Sequence, residues 1–194
     1  AQRASPTFDY TPSIRTISTH LGTEIGENME RSSPEILPLT LSTLQQSRIE
    51  HYIRLSAASR SQRFMGSISD EALRCFAQHS RPDLTLAIER DSAPRGMLEL
   101  YFGEYAHAEV GLSVEDAYQG RGLGRTLFKR GLSEARAHNM LTIDVNFVRS
   151  NIAMHKLCID EGGDVECIGS ECTAQLRTDC EQFANSAKTE GVQT

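Results

Sequence analysis

Ten consecutive residues, Tyr118-Gln119-Gly120-Arg121-Gly122-Leu123-Gly124-Arg125-Thr126-Leu127, combine three alternating glycines with two arginines. They lie between a strand-like run, Ala108 to Val114, and a helix-like run, Leu123 to His138. Glycines without a Cβ let the main chain turn tightly and let a ligand approach closely. The helix that follows aims the unpaired N–H groups of its first turn in one direction, with roughly half a positive charge. A diphosphate is the natural guest of such a cradle. Arg121 and Arg125 add full charges whose planar forks suit phosphate oxygens. The competing reading is a glycine-rich turn that merely caps a helix. The spacing lacks the Gly-Lys-Ser/Thr ending of a P-loop, and a Rossmann fingerprint would need a βαβ unit with an acidic residue about 20 residues on.

Gln119-Gly-x-Gly-x-Gly124, reached through a strand whose Val114 stands five residues ahead of the glutamine, resembles the acetyl-CoA-binding motif of the GNAT superfamily of N-acetyltransferases. The resemblance implies an α/β (α+β) fold, with a central mixed, mostly antiparallel sheet flanked by helices. It implies acetyl-CoA as cosubstrate; no two His or Cys residues recur at metal spacing, so no metal is expected. The cofactor would be held by the strand residues Leu112, Ser113 and Val114, by Gln119, Gly120, Arg121, Gly122, Leu123, Gly124 and Arg125 of the loop, and by Asn151. More narrowly, Ser56 to Phe64, Ala108-Glu109, the glycine loop, and Asn151-Ile-Ala-Met154 followed by Gly162-Gly163 look like the acetyltransferase domain of bacterial protein-lysine acetyltransferases. Relatives of this kind often form homodimers.

Amine acetylation needs a held thioester, a deprotonated amine and a proton for the departing thiolate. A free alkylammonium has a pKa near ~10, so a base must take its proton at neutral pH. Alternation along Ala108-Glu109-Val110-Gly111-Leu112-Ser113-Val114 sets Glu109, Gly111 and Ser113 on one face and Val110, Leu112 and Val114 on the other. A carboxylate beside two small residues has room for a ligand, and in a central strand it would be partly desolvated, which strengthens a base. Glu109 is therefore the candidate general base, against the alternative of an ion-paired residue at an open strand end, and the resemblance implies the same role for it. Many GNAT enzymes carry a Leu-Tyr pair in the helix after Asn151, with the tyrosine as general acid; this chain has Leu157-Cys158. Cys158 is the candidate proton donor, with packing of a buried thiol as the alternative. Asn151 reads equally as a cofactor contact and as a helix N-cap. Arg60 and Arg63 either stand at the acceptor entrance or decorate a solvated helix end. His107 either relays a proton or lies on the surface, and Glu99 and Tyr101 share a face that could line the acceptor cleft.

The elements that must carry these residues follow from pattern. Residues 1–33 are rich in Ser, Thr, Glu and Gly and read as a mobile or irregular arm. The domain spans 34–177 and opens with a short edge strand, Glu35 to Leu41, interrupted by Pro38. A helix runs from Ser42 through Leu55 and a second from Ser69 or Asp70 to His79, separated by a basic segment at Ser59–Phe64. Strands follow at Leu84–Arg90, Met97–Phe102 and Ala108–Val114, the first two joined by a turn at Asp91–Gly96. After the phosphate helix, which carries Leu123, Leu127, Leu132 and Ala135 inward, come a continuously apolar buried strand, Leu141–Phe147, and a helix, Ile152–Glu161. A hairpin of Asp164–Ile168 and Glu171–Leu176 precedes a polar tail at 178–194.

With 194 residues the chain suits one domain. Twenty Lys+Arg against 26 Asp+Glu give a net charge of −6, without a basic run dense enough to suggest nucleic acid, and an acidic surface tolerates a cationic amine. The acceptor class stays open between a protein lysine and a small-molecule amine, and a non-catalytic acyl-CoA sensor is the rival function. Five cysteines in no paired or metal-ligand spacing point to a reduced, cytoplasmic setting. No apolar run approaches a membrane span.

Overall fold

A computed structural model describes residues 36–38 and 41–178. The expected N-terminal arm, and the C-terminal tail beyond Thr178, lie outside the described residues. In chain order the elements are β1 (Ile36–Pro38), α1 (Leu41–Arg54), α2 (Ala57–Phe64), α3 (Asp70–His79), β2 (Leu84–Arg90), β3 (Ala93–Phe102), β4 (His107–Val114), α4 (Leu123–Ala137), β5 (Thr142–Val148), α5 (Ile152–Asp160), β6 (Asp164–Ile168) and β7 (Glu171–Arg177). A 3-10 turn, Asp116–Tyr118, joins β4 to the glycine loop. The strands form one seven-stranded sheet in the order β1-β2-β3-β4-β5-β7-β6. All pairings are antiparallel except β4 with β5, which is parallel.

Period-two alternation divides the sheet into two layers. Leu98, Leu100, Leu112, Ile143, Val145 and Phe147 face α4 and α5, where Leu123, Leu127, Phe128 and Met154 complete the main core. Tyr52, Leu55, Leu73 and Ala77 of α1 and α3 form a second apolar cluster, with Phe64 and Phe76 against it. Burying these side chains stabilises each by roughly 1.5–3 kcal/mol relative to exposure. The β7 pattern, exposed at every other residue from Glu171 to Arg177, leaves one face of that strand in solvent.

Several expectations need correction. Residues 57–64 form a full helix: Ser56 accepts from the Ser59 N–H, and Met65 closes the end in the left-handed region at φ 58°. Its inward contacts come from serine and arginine rather than from an apolar stripe, which hid it. Leu41 starts α1 instead of ending β1. The turn after β2 is only Asp91-Ser92, both at positive φ (52° and 57°). Pro94 and Gly96 belong to β3, beside a register shift between Ile88 and Glu89 that accommodates the missing proline donor. β5 alternates between buried and more open positions, so it is not buried on both faces. On α4 the inward set is Leu123, Leu127, Phe128, Gly131 and Ala135, with Leu132 half-buried. Cys167 and Cys172 form a disulfide across the β6–β7 hairpin, where they are direct cross-strand partners. The reduced setting inferred from unpaired thiols loses that support.

Candidate active site

β4 and β5 part company early. Their parallel pairing covers only His107↔Thr142, Ala108↔Ile143 and Glu109↔Asp144. Beyond it β5 keeps pairing with β7 to Val148, while β4 stays with β3. A wedge opens between Val110–Val114 and the far half of β5. Strand-edge N–H and C=O groups need partners, and an extended ligand bearing amide groups can pair with such an edge as another strand would. Glu109 stands where the two strands separate.

The glycine loop lies at the wide end of the wedge. Gly120 and Gly122 adopt φ of 70° and 83°, and a Cβ at either would meet nothing within 4 Å. Their glycine identity therefore serves the left-handed main chain and leaves open space above it. Gly122 caps α4 without a side-chain cap, so the first-turn donors keep their capacity for an anion. Gln119, itself exposed, donates to Ser59 Oγ at 3.1 Å and to the Val114 carbonyl at 3.0 Å. Arg121 stacks over Tyr118 at 5.5 Å, whereas Arg125 pairs with Asp160 at 2.5 Å. Asn151 caps α5 by accepting from the Met154 N–H at 3.0 Å.

Glu115 locks this loop to α1. It is 5% exposed and meets Arg54 at 2.6 Å, Arg95 at 2.9 Å and His51 at 3.7 Å. Burial opposes its ionisation, but the nearby His51 ring and the hydrogen bonds from Arg54 and Arg95 win and bring the carboxyl down to about 2. Asp116 adds a second tie by accepting from Ser56 Oγ at 2.7 Å and Ser59 Oγ at 2.9 Å.

On the sheet face toward α2, a cleft of about 400 Å³ is lined by Arg63, Phe64, Met65, Phe76, Tyr101, Glu109, Val110, Gly111 and Asn146. Glu109 is exposed there rather than desolvated within the strand. The room expected beside it is filled: a Cβ at Gly111 would lie 2.1 Å from Arg63 Nη2, and Ser113 Oγ meets His51 Nε2 at 2.8 Å. Glu99, 1% exposed, lies beneath the cleft-lining Arg63 and meets Arg48 at 2.5 Å, Arg63 at 2.6 Å and the Tyr52 hydroxyl, which donates at 2.6 Å. Burial would raise its pKa, yet Arg63, Arg48 and the Tyr52 hydrogen bond hold it below the usual carboxylate range. Tyr101 is pushed up to about 12, chiefly by burial and the Glu99 charge.

The remaining candidates separate. Arg60 caps the end of α1, donating to the carbonyls of Tyr52, Ile53 and Leu55, and pairs with Asp70. His107 pairs with Asp144 at 3.0 Å beside the wedge. Cys158 is fully buried in the main core, away from the cleft lining, and burial pushes its thiol up to about 12. Burial and so weak an acidity make such a thiol a poor proton donor and favour the packing alternative. Sequence reasoning missed Arg48, His51 and Glu115. The first two lie on the α1 stripe Leu44, Arg48, His51, Tyr52, Leu55, so two polar residues at core spacing were the available signal. No described helix is long and apolar enough to cross a membrane, and no group of metal-ligating side chains gathers among the described residues.

Residues 50–158 match the acetyltransferase (GNAT) family. The fold is shared with the GNAT domain of S. lividans PAT, at TM-score 0.62 and 20% identity over 73% of this chain and 89% of that one. A putative acetyltransferase from Salmonella typhimurium, solved with its cofactor acetyl-CoA, aligns at TM-score 0.55 and 17% identity over 77% and 96%. The ribosomal-protein-S18-alanine N-acetyltransferase of Escherichia coli aligns at TM-score 0.59 and 18% identity over 77% and 98%. No curated protein matches the chain.

Proposed function

The chain belongs to the acetyltransferase (GNAT) family, and from that premise we propose that it transfers an acetyl group from acetyl-CoA to a primary amine, with Glu109 as general base. One observation carries the reading: the wedge between β4 and β5 has a ligand-ready strand edge on one side, a positive helix terminus at its mouth, and an exposed carboxylate where it closes.

Bound acetyl-CoA supplies the activated thioester. The open main chain at Gly120 and Gly122 and the first turn of α4 hold its diphosphate, with Arg121 and Arg125 adding charge at the rim. Arg125 shares its charge with Asp160, so the main-chain donors carry most of the hold. N–H groups of Leu112–Val114 orient the acyl arm, an alignment that removes orientational entropy from the reaction. Glu109 takes the ammonium proton, directly or through water. The free amine then forms the C–N bond as the C–S bond breaks, and the departing thiolate is protonated by water, since Cys158 is sealed in the core. Positioning falls to Glu115, Asp116 and Gln119, which tie the loop to α1, α2 and β4.

Replacing Glu109 with Gln tests this directly. The variant is expected to lose about 10²–10⁴-fold in kcat at neutral pH while calorimetry returns wild-type CoA affinity. Unchanged turnover would remove Glu109 as the base. A non-catalytic sensor would bind CoA equally well in both proteins and turn over nothing in either.

A further inference from the structure

Arg63 is a charged group of the cleft to which the proposed acetyl transfer gives no role. Its guanidinium rests where a Gly111 side chain would be, within 6.0 Å of the ring centroids of Tyr52, Phe64 and Phe76. It donates from Nη2 to Glu99 Oε2 at 2.6 Å, and among the described residues its Nε and Nη1 have no acceptor. Glu99 is already served by Arg48 and Tyr52. Two guanidiniums therefore share one carboxylate, which leaves the cleft floor with one positive charge in excess. Glu109 supplies the opposite charge at the mouth, two residues along the same face of β4, about 6.5–7 Å away along the strand.

We propose that the acceptor is an amine carrying its own carboxylate close by, an α-amino acid or a small relative of one, and that Arg63 is the residue that selects it. The inference rests on the acetyltransferase reading and narrows its acceptor. The ammonium of such a molecule faces Glu109 while its carboxylate meets the free donors of Arg63, so the two opposed charges of the cleft are matched by one zwitterion. A guanidinium suits a carboxylate because its planar fork can offer two donors at once. Phe64, Phe76 and Tyr101 line the rest of the space and favour an apolar or aromatic side chain. A polyamine or a protein lysine would instead bring unmatched positive charge or a neutral chain against Arg63.

Two matched pairs isolate the carboxylate: phenylalanine against phenethylamine, and leucine against isopentylamine, with a lysine peptide and spermidine alongside. Each is assayed by thiol release from acetyl-CoA, with rates referred to the unprotonated amine. The expected result is a kcat/KM about 10- to 100-fold higher for at least one amino acid than for its decarboxylated partner, the scale of charge-assisted hydrogen bonds. In Arg63→Met the preference shrinks to within about threefold and Arg63→Lys keeps part of it, while calorimetric CoA affinity shows that the fold is retained. The wild-type comparison decides alone if Arg63→Met fails to fold. Equal or faster turnover of the decarboxylated amines, the peptide or spermidine would overturn the proposal and leave the acetyltransferase reading standing. A preference that survives Arg63→Met would also overturn it. CoA binding without turnover of any amine would remove both.

Discussion

Substituting Gly111 by alanine probes the joint between the cleft floor and the catalytic strand. The added Cβ would lie 2.1 Å from Arg63 Nη2 and 2.3 Å from Cζ, so the guanidinium must move. Elsewhere the tip of a long side chain yields at little cost. Here the tip is held by Glu99 at 2.6 Å and stacked on three rings. Displacing it weakens one hydrogen bond to a buried carboxylate and part of the stacking, an expected loss of roughly 1–3 kcal/mol. For a domain of this size that corresponds to a fall in Tm of roughly 3–10 °C. A double-mutant cycle with Arg63→Ala supplies the check. Once the guanidinium is gone, the three nearest atoms that oppose Gly111→Ala go with it, and the lower unfolded-chain entropy of alanine offsets what cost is left by up to roughly 1 kcal/mol. Urea denaturation of the four proteins measures the coupling. An equal cost of Gly111→Ala in both backgrounds would refute the claim that Arg63 claims the space over Gly111.

Gly122→Ala forces an alanine to φ 83° and should weaken CoA binding with a strain of about 1–2 kcal/mol, read by calorimetry against an unchanged far-UV spectrum. The folded-state pKa of Glu115, about 2, lies below its ordinary 4.5, so its contribution is present above the ordinary value and fades as pH falls toward 2. Wild-type protein should therefore lose more stability between pH 5 and 2 than Glu115→Gln, measured by urea midpoints. Cys158→Ala should retain wild-type kcat and lose about 1–2 kcal/mol of stability, because its fully buried thiol fills core space; a large drop in kcat at unchanged KM would restore it as a proton donor.

Legibility in the sequence tracked how local each signal is. The glycine loop, α3, β2 and the last hairpin announce themselves through caps, turns and alternation that involve neighbours in sequence, and the structure has them at nearly the expected bounds. α2 escaped because its helical face is read through Ser59 and Arg63, whose partners Asp116 and Glu99 are more than thirty residues distant. The early parting of β4 and β5, with β4 staying on β3 and β5 on β7, is set by pairings between segments that no local window contains. Glu99 reads in sequence as a candidate cleft residue alongside Tyr101, but the convergence of α1, α2 and β3 buries it beneath Arg63, and Tyr101 alone of the two lines the cleft. The reading of small residues beside Glu109 as empty room failed for the same reason: α1 and α2 bring His51 and Arg63 into that space.

Amine-dependent release of CoA thiol from acetyl-CoA, followed with the wild-type protein across amino acids, their decarboxylated amines, polyamines and lysine peptides, tests acetyl transfer most directly. The account predicts saturable release that requires both acetyl-CoA and an amine and yields the N-acetylated product by mass. Tight CoA binding with no release from any acceptor would contradict it, and absence of CoA binding would reduce the glycine loop to a helix cap.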